Sequence, residues 1–131
     1  MARREPQKTD FTVDVEGVGQ FIFARRTMRD EIKIQQEFAR YIGGLEPTEW
    51  LLMLGGWLST LSVLIVSEPD GWLRDIDGHP VEDVMDSDPL DGDTYETLKK
   101  VHGALRDKED SFRRKHAQGG QAERQRAGED N

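Results

Sequence analysis

The chain has 131 residues, no cysteine and a net charge of −8 with histidine neutral. That length suits one hydrophobic core, and the missing thiols exclude a disulfide framework and a thiolate metal site. The charge is uneven: from Glu68 to Glu96 eleven acids accompany a single base, Arg74, so the overall field repels phosphate and argues against nucleic acid as a partner.

The opening "MARREPQKTD" lacks the apolar centre of a signal peptide, and the expected compartment is the cytoplasm. Residues 1–9 read as a flexible arm ahead of a single folded domain over 10–116. From Phe11 the side chains alternate, with Phe11, Val13 and Val15 on one side and Thr12, Asp14 and Glu16 on the other. After "EGVG" a second aromatic segment, "QFIFAR", follows, so the pattern predicts a β-hairpin over 11–25 that needs helices to cover one face.

A first helix is predicted over 27–42. Thr27 and Asp30 stand at capping-box spacing, and Gly43–Gly44 supply a stop. Its apolar half carries Met28, Ile32, Ile34, Phe38, Tyr41, Ile42 and Leu45. A second helix is predicted over 47–67, opened by Pro47. It has a bulky face of Trp50, Leu54, Trp57, Leu61 and Leu64 and a small-residue face that includes Gly55, Gly56, Ser59 and Thr60.

The run from Trp50 to Val66 approaches the length of a membrane span, but it is flanked by Glu46, Glu49, Glu68 and Asp70 with no nearby Lys or Arg. A buried helix is the better reading, and no membrane partner is expected. Residues 68–93 form an acidic connector with enough apolar side chains to lie on the body, including one short helical turn near Val81–Met85. A third helix is predicted over 94–116 with Tyr95, Leu98, Val101, His102, Leu105 and Phe112 on one stripe, followed by a disordered tail over 117–131. The fold class is therefore α+β, mainly helical: an N-terminal hairpin packed on about three helices.

Chemistry-bearing patterns are sparse. His79, His102 and His116 have no Cys or His at ligand spacing, and "DSDPLDGD" puts Leu90 and Asp91 where a calcium loop wants an acid and a glycine. No phosphate-binding loop or nucleophile triad stands out, so neither an enzyme nor a cofactor is expected. What remains is surface: Arg25, Arg26 and Arg29 cluster at the junction of hairpin and first helix, opposite in sign to the connector.

Three segments, "FIFARRTMRDEIKIQQEFARYIGG", the tryptophan-bearing central helix ending in "EPDGW", and "YETLKKVHGALRDKEDSFRRK", together resemble the tail assembly chaperones of long-tailed bacteriophages. The resemblance covers about Phe11 to Lys115 and lies in the order and texture of segments. It implies a cytoplasmic protein of the bacterial host that keeps the tape measure protein soluble, helps recruit tail tube subunits, tends to self-associate and leaves before the virion is finished. On that reading a groove between the first and third helices would hold a helical partner, with Phe38, Tyr41, Leu105 and Phe112 as contacts; for each of the four taken singly, closing the core against Trp50 and Trp57 is the preferred reading. The alternative is a non-enzymatic regulator or host-interaction protein that binds a target through its acidic connector.

Overall fold

The computed structural model describes the backbone of residues 4–129 and the side chains of residues 4–113. The hairpin forms as its alternation requires: β1 (Phe11–Val15) pairs antiparallel with β2 (Gly19–Phe23), Val13 facing Phe21 and Val15 facing Gly19. Its turn closes through Val18 N–H donating to the Val15 carbonyl at 3.0 Å, with Gly17 at φ 78°, a conformation glycine adopts without a Cβ penalty. One face of the hairpin sends Val13, Val15, Phe21 and Phe23 inward, and these side chains form the centre of the core.

Helix α1 (Met28–Ile42) starts with both halves of the capping box. The Asp30 amide donates to the Thr27 hydroxyl at 3.3 Å, and the Thr27 amide donates back to the Asp30 carboxylate at 3.0 Å. Replacing Thr27 by alanine removes a cap of ordinary geometry and is expected to cost about 1 kcal/mol in urea unfolding, with the slope of the transition unchanged. Asp30 is buried, and desolvation pushes its carboxyl upward. Hydrogen bonds from Thr27 and from Arg4, together with the Arg4 charge, outweigh that and hold it below the usual aspartate range.

Arg4 reaches Asp30 at 3.1 Å and also donates to the Val63 carbonyl at 3.1 Å. This tie holds Arg4 against the body within the stretch expected to be a flexible arm over 1–9, while residues 5–9 are exposed and outside helix or strand. A guanidinium can bridge a carboxylate and a helix carbonyl at once, a use that composition alone does not reveal. Residues 1–3 lie outside the described residues.

Helix α2 (Glu49–Leu64) is capped by Thr48, whose hydroxyl accepts from the Leu51 amide at 3.1 Å, so it starts later than the Pro47 position suggested. It also ends earlier. Ile65 leaves the helix with φ −67° and ψ 123°, and Ile65–Ser67 becomes a third strand, β3, antiparallel to β2 in the order β1-β2-β3. The predicted helix over 47–67 is corrected accordingly. Its apolar run hides the change of period, while the β-branched Ile65 and Val66 suit the sheet that a lone hairpin lacks.

Both faces of α2 are used. Leu61 and Leu64 enter the core, and the small-residue face meets α1, where the ring of Phe38 lies so close to Gly55 that a Cβ there would stand 2.9 Å from it. Among the described residues no helix is long and apolar enough to cross a membrane.

The acidic connector is an irregular packed segment. Leu73 and Val84 are buried, Trp72 meets Phe21 edge-on at 4.9 Å, and a single turn of 3-10 helix covers Val84–Asp86. Helix α3 (Thr94–Glu129) buries Leu98, Val101 and Leu105 and packs on β1 and α2. Its backbone is helical to Glu129, beyond the 94–116 expected. Residues 130–131 lie outside the described residues.

Candidate partner-binding groove

The seven residues singled out from the sequence do not converge. Leu105 is fully buried in the core. Phe112 packs edge-on against Phe11 at 5.1 Å with the Arg25 guanidinium 4.0 Å above its ring, a cation–π stack that closes the outer end of the sheet. Tyr41 turns its hydroxyl to Ser62 Oγ at 3.2 Å, fastening α1 to α2, and burial pushes its phenol above the ordinary range. Arg29 is exposed on the first turn of α1.

The expected basic cluster is therefore divided. Arg26 in particular is engaged within the fold: its guanidinium grips Glu109 of α3 through Nε and Nη2, both at 3.0 Å, and donates to Glu31 at 2.7 Å. Of the four proposed contacts, Phe38 lines the groove at α1, α2 and α3, while Tyr41 lines a separate small recess of about 110 Å³ with Ser62 and Asp83, and Leu105 and Phe112 serve packing.

The groove itself has a different wall from the one expected. Its volume is about 520 Å³, and α2 supplies much of the lining with Leu52, Met53, Gly56 and Trp57. Helix α1 contributes Ile34, Gln35 and Phe38, and α3 contributes His102 and Arg106. Glycine at position 55 lets the ring of Phe38 approach α2 closely at the floor, and the rim is left open at Leu52 and Met53. Leu52 and Met53 remain 49% and 43% exposed, and on α1 the apolar half is wider than the stripe that is covered, leaving Met28 at 82% and Ile32 at 60%.

His102 sits at the α3 side of this groove, with its ring 6.5 Å from that of Trp57. Desolvation lowers its pKa first, and the charges of Arg106 and Arg26 lower it further, to about 4. The imidazole is therefore neutral through the physiological range, an apolar-leaning donor and acceptor beside two guanidiniums.

The sign of the linkage follows. Between pH 6.5 and about 4 the unfolded chain takes up a proton at this position that the folded chain refuses, so stability falls as pH falls through that window. After discounting for the partial exposure of the ring, the expected loss is about 1–2 kcal/mol. His102→Gln should flatten that part of the profile relative to the parent chain in urea titrations at stepped pH.

A second concave region, about 410 Å³, lies between β1 and α3 and is rimmed by charges of both signs, including Asp14, Glu16, Lys99 and Lys100. On the connector, Asp75, Asp77 and His79 bring one ligand atom each to within 4.8 Å of one another. The search for Cys and His spacing passed over this trio. Its geometry has an internal explanation: Asp75 accepts the amides of Asp77 and His79 at 2.9 and 3.0 Å, and these bonds shape the turn and hold its carboxyl below the usual range.

Leu52 and Met53 were also missed. The available signal was that α2 carries more apolar residues than its two packed faces can use.

What the groove offers is contact chemistry: aliphatic and aromatic walls, a neutral imidazole, and guanidiniums at one lip. No family model matches this chain, and neither a curated protein nor a solved structure matches it.

Proposed function

We propose that this chain is a tail assembly chaperone of a long-tailed phage. In this reading it acts without catalysis in the host cytoplasm, holds helical segments of the tape measure protein soluble, helps gather tail tube subunits and is absent from the finished particle. The observation that carries the reading is the open groove at α1, α2 and α3, with Leu52 and Met53 exposed in its wall. An amphipathic helix buries its stripe in such a groove, and a long helical protein awaiting assembly exposes many such stripes.

The alternative, recognition through the acidic connector, is less favoured by the same geometry. Asp75, Asp83 and Asp88 each accept a nearby backbone amide, and Leu73 and Val84 pack inward, so much of the connector's composition is spent on its own folding.

The test is co-expression with a tape measure protein. The parent chain is expected to raise its soluble yield, and the double variant Leu52→Asp/Met53→Asp is expected to lose about fivefold or more of that gain while keeping its helical circular dichroism. Equal solubilisation by both chains would overturn the groove as the working surface.

A further inference from the structure

We infer that the groove selects an amphipathic helix whose apolar stripe is flanked by carboxylates, and that Arg106 is the residue that reads the flanking acid. The inference rests on the groove being a partner site, as proposed above, and adds the chemical class of the partner.

The groove's charges are unequal in their commitments. Arg26 is committed to Glu109 and Glu31, whereas Arg106 is exposed at the α3 lip and has no carboxylate partner among the described residues. Glu31 is the acid that lines the groove, and it faces Arg26 at 2.7 Å, a guanidinium it shares with Glu109. His102 lies between Arg106 and the apolar wall, and both Arg106 and Arg26 disfavour its protonation. Arg26 and Arg106 together balance Glu31 and Glu109 in formal charge, and of these four groups Arg106 is the one without an ion pair among the described residues.

The apolar wall of Phe38, Leu52, Met53 and Trp57 stands beside it. A partner that fills the wall with aliphatic side chains therefore brings its flanking positions against the Arg106 guanidinium, which has no carboxylate partner among the described residues. A carboxylate there gains a charge-assisted hydrogen bond, while an ammonium meets repulsion and leaves Arg106 uncompensated. A phosphate backbone would satisfy Arg106 but leave the apolar wall bare, so a helical protein segment fits the whole surface better.

The experiment uses the full chain and fluorescein-labelled helical peptides of one length. All share a leucine stripe, with Glu, Lys or Gln at the flanking positions, and binding is read by anisotropy at low salt. The Glu-flanked peptide is expected to bind about tenfold more tightly than the Lys-flanked one. Arg106→Glu, at an exposed position, should reverse that order, and Leu52→Asp should weaken all three peptides.

Equal binding of Glu- and Lys-flanked peptides, or an order unaffected by Arg106→Glu, overturns the inference, as does failure of all three peptides to bind. If the charge order fails while tape measure solubility still depends on Leu52 and Met53, the chaperone reading stands without it. If the peptides behave as expected and the tape measure protein stays insoluble, the groove's preference stands and the chaperone reading falls.

Discussion

Replacing Glu109 with alanine is expected to destabilise the chain by about 3 kcal/mol, near the lower end for breaking an ion pair removed from water. The side chains of Glu109 and Arg26 are 10% and 21% exposed, and the two parallel N–H···O bonds of 3.0 Å give the bidentate geometry in which such pairs are strongest. Without Glu109 the guanidinium keeps Glu31, whose side chain is 41% exposed and therefore a weaker partner. The loss is expected as a lower urea midpoint with an unchanged slope. The double replacement Arg26→Met/Glu109→Leu should recover most of the loss, because the one charge then left without Arg26 is that of Glu31, whose side chain is 41% exposed to water. If Glu109→Ala alone proved neutral, the pair would be a surface accident and could not be what ties the start of α1 to α3.

Phe21→Ala is the second large effect, at about 3–5 kcal/mol, the usual range for deleting a buried aromatic ring. Phe21 is fully buried, stacks on Phe23 at 5.7 Å with an interplanar angle of 7°, and receives the edge of Trp72 at 4.9 Å. Its removal takes a supporting surface from the connector as well as volume from the core. Limited proteolysis should therefore cut the variant within residues 74–90 faster than global unfolding accounts for, and the Trp72 contribution to fluorescence should shift toward that of a solvated indole. Cleavage that simply follows global stability would mean that the connector is held by other contacts, such as the burial of Leu73 and Val84.

The parts of this fold that could be read from sequence are those governed by local rules. The hairpin alternates, Thr27 and Asp30 form a reciprocal cap, and Gly43 ends α1 at φ 60°. Each of these depends on residues within a few positions of one another.

The rest depends on distant partners. Ile65–Ser67 is a strand because β2 offers a free edge, and Arg4 is ordered because Asp30 and Val63 lie within its reach. The α2 wall of the groove and the separation of Phe38 from Tyr41 went unread for the same reason. A helical wheel shows that Phe38 and Tyr41 share an apolar half, but it cannot show that Gly55 accepts the ring of Phe38 while Ser62 captures the hydroxyl of Tyr41. Arg25 and Arg26 are neighbours in sequence, yet one lies over an aromatic ring and the other grips carboxylates.

The passage from helix to strand at Leu64 and Ile65, with no loop between, makes α2 a lever welded to the sheet. Turning it about its axis would strain the Ala24 amide bond to the Leu64 carbonyl, 2.9 Å long, and the pairing of Phe23 with Ile65. A guest wedged into the groove should therefore push on the opposite wall. Helix α1 is pinned where it starts, by Arg26 and by Arg4, and is fastened near its end by the Tyr41–Ser62 hydrogen bond just before Gly43–Gly44, both at positive φ, so an outward swing of its last turn has to break that bond. Hydrogen exchange under load should then quicken at Ala39–Ile42 while the amides of β3 stay slow.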